Sequence, residues 1–77
     1  MDIKVGDTVD RKNGSYRFPG RVLSVYVDEY GKAQCVVELA ALKVRHIFNY
    51  GDLRKITMTD YETLQTAILD ALEYMDA

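Results

Sequence analysis

From Arg21 to Val27 apolar and polar positions alternate, with Leu23, Val25 and Val27 on one side of an extended segment and Val22, Ser24 and Tyr26 on the other. A period of two belongs to a β-strand, whose successive side chains point to opposite faces. The pattern recurs from Ala33 to about Ala40, where Cys35, Val37 and Leu39 share a side against Gln34, Val36 and Glu38. It recurs again from Arg45 to Tyr50 and, briefly, from Leu53 to Ile56. The opening strand is expected at Thr8-Val9, after a turn at Val5-Gly6-Asp7. Turn chemistry separates these runs: Asn13-Gly14 is the strongest short hairpin signal, and Asp28-Glu29-Tyr30-Gly31-Lys32 and Gly51-Asp52 supply two more turns. Pro19 has no backbone donor, which predicts an edge or a bulge around it.

Near Thr57 the period changes to about 3.6 residues, that of a helix. Tyr61, Leu64, Ile68, Ala71 and Met75 form an apolar seam, which Leu72 widens. Thr59-Asp60-Tyr61-Glu62 has the form of a capping box, with Thr59 as the capping residue. The seam must be buried on the chain's own strands or at a subunit interface, since two heptads are too short for a free-standing zipper. The expected fold is therefore mainly β: a five-stranded SH3-like barrel over residues 1–57, followed by one C-terminal amphipathic α-helix over 58–77, in a single domain.

Composition narrows the chemistry. The chain has 77 residues, one cysteine and one histidine. Cys35 can close no internal disulfide, which suits a reducing cytoplasm. No charged-then-apolar leader opens the sequence and no apolar run approaches the ~18 residues needed to span a bilayer, so a soluble cytoplasmic protein without a membrane partner is expected. The net charge of −2 hides an asymmetry. Residues 1–55 carry all ten Lys and Arg against seven acids, a net +3, whereas 56–77 carry five acids and no base.

No phosphate-binding glycine loop and no metal-ligand spacing is present. Ser15 and Ser24 have no evident base beside them, which argues against a self-contained hydrolase. His46 shares its strand face with Val44, Phe48 and Tyr50, so the alternation predicts an interior, hydrogen-bonded histidine. Ile47, on the other side, also calls for burial. Two apolar strand faces imply a cover on both, and this points to a homo-oligomer, a dimer or a tetramer.

The order of these segments resembles a known family. Val5-Gly6-Asp7-Thr8-Val9 followed by Arg11-Lys12-Asn13-Gly14, then Phe18-Pro19-Gly20-Arg21-Val22 with Val25-Tyr26, then Val44 to Phe48 and Leu53 to Ile56, together look like the plasmid-borne type II dihydrofolate reductases. The resemblance covers about fifty residues. It implies small SH3-like barrels assembled as a homotetramer around a pore that holds NADPH and dihydrofolate. Under it Arg11 stands where the family has a lysine that attracts the ligands' negative groups, and Ile47 stands where a backbone holds the nicotinamide carboxamide. The family's pore strand reads Val-Gln-Ile-Tyr where this chain reads Arg45-His46-Ile47-Phe48, so His46 replaces the glutamine of the pore floor and Phe48 lacks the tyrosine hydroxyl. The acidic helix is an addition to the family pattern.

In that family rate comes from juxtaposing two ligands, so changed positioning residues imply lost turnover. The sequence therefore favours an oligomeric binding module without reductase activity or cofactor, using Arg11, Tyr26, His46, Ile47 and Phe48, while Tyr61, Leu64, Ile68, Ala71, Leu72 and Met75 serve helix packing or assembly. The small-molecule or protein ligand is left open. One alternative is an NADPH-dependent dihydrofolate reductase using the same pore residues. The other is a nucleic-acid-binding barrel using Arg11, Lys12, Arg17, Arg21 and Arg45, with Tyr16 and Phe18 as stacking surfaces.

Overall fold

The computed structural model describes residues 3–12 and 18–76, the last two as backbone only. The Asn13-Gly14 hairpin signal, Tyr16 and Arg17 lie outside the described residues, as does the side chain of Met75. Five strands form one sheet: β1 (Thr8–Arg11), β2 (Gly20–Val27), β3 (Ala33–Leu39), β4 (Val44–Asn49) and β5 (Leu53–Lys55). A single 3-10 turn, Tyr50–Asp52, joins β4 to β5, and helix α1 (Met58–Asp76) follows. The mainly β class with one C-terminal helix is thus as expected. All pairings are antiparallel and the spatial order is β4-β3-β2-β1-β5, which leaves β4 and β5 as the edges of the sheet.

Loop chemistry explains the connections. Between β2 and β3 the Asp28 Oδ1 accepts hydrogen bonds from the backbone N–H groups of Tyr30 and Lys32, both at 2.9 Å. Gly31 there takes φ of 78°, a conformation that costs glycine little. The turn from β3 into β4 has a less permissive residue, Lys43, at φ of 55°. At the close of the sheet, Lys12 N–H donates to the Asp52 carbonyl and Ile56 N–H to that of Thr8, both at 2.9 Å, tying β5 to β1.

The core is a cluster of Ile3, Val9, Val22, Cys35, Val37, Leu39 and Leu53, with Phe18, Leu42, Phe48 and Tyr50 packed against it. Each fully buried Val or Leu here is worth about 1.5–3 kcal/mol over exposure. Gly20 permits the close approach of β2 to the end of β3, because a Cβ at that position would stand 2.9 Å from the Glu38 carbonyl oxygen.

Two sequence expectations are corrected. Uniform alternation along β2 placed Val22 opposite Val25, but the β2–β3 register shifts between Val22 and Ser24, where Val22 pairs with Val37 and Ser24 with Val36. Leu23 is the extra residue of a bulge, so Val22 and Val25 both lie on the core side. Pro19, where the bulge signal stood, instead precedes β2 and is buried. The helix cap also moves. The hydroxyl of Thr57, not that of Thr59, accepts the N–H of Asp60 at 3.1 Å, and the Tyr61 N–H donates to the Thr57 carbonyl at 2.9 Å. Thr59 lies inside the first turn, where its carbonyl accepts the Thr63 hydroxyl at 2.9 Å.

Helix α1 packs against β1. Tyr61 is its buried residue, and Leu64, Ile68 and Leu72 are half-buried while Ala71 is exposed. Nineteen residues at a rise of ~1.5 Å make a rod about 28 Å long. The described molecule measures 45 × 22 × 21 Å, so the helix extends well past the sheet. Among the described residues no helix is long and apolar enough to cross a membrane.

Candidate functional site

Strand register decides which of the candidate residues meet. Cys35 pairs with both Val25 and Phe48, Val37 with His46, and Leu39 with Val44. Directly opposed residues of an antiparallel pair share a face, so Val25, Val44, His46 and Phe48 lie on the core side of the sheet. Arg11 joins them from β1, where it pairs with the buried Leu53. Its guanidinium carbon stands 5.9 Å from the centroid of the Phe48 ring, within cation–π range. The Phe48 ring in turn lies 4.7 Å from that of His46, tilted by 48°. Arg11, His46 and Phe48 therefore form one cluster drawn from two strands that are far apart in the sheet order.

Tyr26 and Ile47 belong to the other face. Tyr26 pairs with Gln34, and Ile47 with Val36. That face is polar at one end, where the Gln34 amide donates to Asp28 Oδ2 at 3.1 Å and to Asn49 Oδ1 at 3.0 Å. At the other end Arg45 approaches Glu38 at 3.9 Å, with both side chains largely in solvent. Ile47 lies between these ends and is 56% exposed. The five candidate ligand residues thus divide three to two across the sheet.

The interior position expected for His46 is overturned: its face is the core-facing one, yet the residue is exposed. The reason is its place on β4. An edge strand has a neighbour on one flank only, and its inward side chains lie at the rim of the core. Phe48 alone of that strand packs on the core cluster, while Val44 is 46% exposed. Beyond the core the same face leaves Val25 and Val27 partly open, at 39% and 67%.

Among the described residues of the nucleic-acid alternative, Arg11, Arg21, Arg45 and Phe18 do not share a surface. Arg11 is on the core side, Arg21 and Arg45 flank Glu38 on the other, and Phe18 packs on the core cluster. Among the described residues no group of His, Cys, Asp and Glu is arranged to hold a metal ion.

Three features gave no sequence signal. Asp10 is 1% exposed and its carboxylate is gripped by Arg54, Nε to Oδ1 at 2.8 Å and Nη2 to Oδ2 at 3.2 Å. The Asp10 hydrogen bond, more than any other influence, holds the Arg54 guanidinium charged beyond its usual range. The second is an open depression of about 320 Å³ at the start of β4, lined by Glu38, Ala40, Lys43, Val44 and Arg45. A further depression of about 300 Å³ runs between Arg21 and the helix residues Met58, Tyr61, Glu62, Gln65, Thr66 and Leu69. Cys35 is fully buried, and burial pushes its thiol pKa up, which makes it unreactive.

No protein-family model, curated protein or solved structure matches the chain.

Proposed function

We propose that this chain is a homo-oligomeric binding module that receives an anionic partner on the face formed by Arg11, His46 and Phe48, and that it works by recognition rather than turnover. The observation carrying this reading is the Arg11–Phe48–His46 cluster, in which a guanidinium and two ring faces stand together beside exposed Val44. A cation over an aromatic ring at a partly open site is a recognised means of holding flat or negatively charged groups.

A relationship to the type II dihydrofolate reductases belongs to this reading. It is supported by the order of the sequence segments Val5 to Val9, Phe18 to Tyr26, Val44 to Phe48 and Leu53 to Ile56. Against reductase chemistry stand the changed pore-strand residues, His46 in place of a glutamine and Phe48 without a tyrosine hydroxyl. The lone, buried Cys35 suits a cytoplasmic setting.

The test is a nitrogen-15 NMR titration with NADPH and with dihydrofolate, both anions that carry ring systems, while NADPH oxidation is followed in the same samples. Perturbations centred on Arg11, His46 and Phe48, lost in Arg11→Ser, without oxidation above buffer, are the expected result. Sustained dihydrofolate-dependent oxidation would replace recognition by catalysis. Silence of these three residues at millimolar probe would end the binding reading.

A further inference from the structure

The two edges of the sheet are finished differently. An edge strand presents a row of unpaired backbone N–H and C=O groups, and proteins blunt it with short length, charge, proline or a bulge. β5 is blunted in this way: it has three residues, and two of them are Arg54 and Lys55, held by Asp10 and Asp7. β4 carries none of these devices. It runs for six residues with no proline, glycine or lysine, and it pairs with β3 through six consecutive residue pairs without a bulge. Among the described residues its backbone hydrogen bonds go to β3, and five of its six residues are exposed. Along the outer edge every second residue therefore turns an N–H and a C=O away from β3.

The same strand of a second copy is a self-consistent occupant. Antiparallel pairing about a two-fold axis sets residue i against j and j against i, so the strand must complement itself. The two faces limit the register, because a slip of one residue would continue the core side of one copy into the solvent side of the other. Two in-phase registers pair five β4 residues of each copy, one centred on His46 and one on Ile47. Centring on His46 sets two imidazoles opposite one another, which acid would drive apart. Centring on Ile47 opposes no like groups that can charge. Ile47 then meets Ile47 of the second copy on one face, His46 meets Phe48 on the other, and Arg45 meets Asn49. Such β-branched and ring pairs are the ones that stabilise neighbouring strands. The two Arg45 charges stay about 13 Å apart along the strand at ~3.3 Å per residue, beyond a screening length of about 8–10 Å.

We infer that β4 is the seam of a two-fold dimer, in which its outer edge pairs antiparallel with β4 of a second copy about an axis through Ile47, joining the two sheets into one. This deepens the homo-oligomeric part of the reading above, on which it rests. It also brings the Arg11–Phe48–His46 clusters of both copies onto one continuous face.

Light scattering on the full chain tests it, with charges introduced at the exposed Ile47. The parent should be a dimer. Ile47→Lys and Ile47→Glu should each weaken self-association about tenfold, since like charges replace the β-branched pair. An equimolar mixture of the two should regain the dimer, because opposite charges then meet across the axis, and this recovery also shows that neither variant is misfolded. A monomeric parent, a mass indifferent to both substitutions, or a mixture no more associated than its components would overturn the inference. Amide hydrogen exchange reads the edge directly. Protection along the whole of β4 is expected in the parent, and fast exchange at alternate β4 residues of an associated parent would overturn edge pairing. A monomeric parent in which NADPH still perturbs Arg11, His46 and Phe48 removes the dimer and leaves recognition standing. A β4 dimer in which those three stay silent keeps the dimer and removes recognition.

Discussion

Asp10 and Arg54 form a two-point ion pair across β1 and β5, at 2.8 and 3.2 Å, with the carboxylate almost wholly removed from solvent and the guanidinium partly in it. Removing one member of a buried ion pair is strongly destabilising, whereas replacing the whole pair by apolar residues is often neutral. Arg54→Met should therefore lower the urea midpoint sharply, and Asp10→Leu combined with Arg54→Met should recover most of the loss. A double variant as unstable as the single one would show that the pair does more than satisfy its own charges.

Gly20 is a packing site. In Gly20→Ala the new methyl must displace the Glu38 carbonyl or the Val37 and Leu39 side chains, which should cost about 1–3 kcal/mol by overpacking. Gly51→Ala meets nothing within 4 Å and should stay within about 0.5 kcal/mol of the parent. Chemical denaturation of the two variants checks the contrast, and equal losses would remove the close approach of β2 to β3 as the cause.

The helix cap separates two threonines that look alike in the sequence. Thr57→Ala should cost about 1 kcal/mol through loss of the bond to the Asp60 N–H. Thr59→Ala should change stability by no more than a few tenths of a kcal/mol, since alanine is the better helix former inside a first turn. Thermal unfolding of both, followed by helical circular dichroism, decides which residue starts the helix.

Acid should weaken the fold through its turns. The Lys32 backbone N–H holds the Asp28 carboxyl below its ordinary value of 3.8, and the Lys4 backbone N–H does the same for Asp7. A carboxyl lowered in the folded state contributes stability that is present above the unfolded value and lost as pH falls through the folded one. The contribution is therefore intact at neutral pH and disappears below about pH 3.8. Asp28→Asn should flatten the acid limb of stability measured between pH 5 and pH 2 on the order of one carboxylate's share. An unchanged limb would move the titration elsewhere.

Much of this architecture was legible in the sequence because it depends on local chemistry. The period of two in Cys35, Val37 and Leu39 matches their burial one by one, and Asp28 to Lys32 forms the turn its side chains favour. The helical stripe from Tyr61 to Leu72 has its buried and half-buried side where the 3.6-residue spacing places it, Ala71 excepted. Local reasoning failed where one extra residue was inserted. The bulge at Leu23 leaves composition unchanged and reverses the faces on either side of it, and only the pairing with β3 determines where it falls.

The candidate site divides along the same line. Strand alternation, a property of each residue's own backbone, was enough to place Val44, His46 and Phe48 on a shared face and Ile47 on the other. Whether that face is covered depends on which strand lies beside which. Edge position exposes His46, and tertiary packing brings Arg11 over Phe48 from thirty-seven residues away in the chain. The same long-range pairing joins Asp10 to Arg54. The sequence by itself determined the elements, the amphipathic sides of β3, β4 and the helix, and the division of charge between sheet and helix, since these follow from side-chain period and local turn preference. Only the tertiary structure decided which faces are open and which charges meet, because burial and ion pairing are properties of neighbours brought together by the sheet and not of neighbours along the chain.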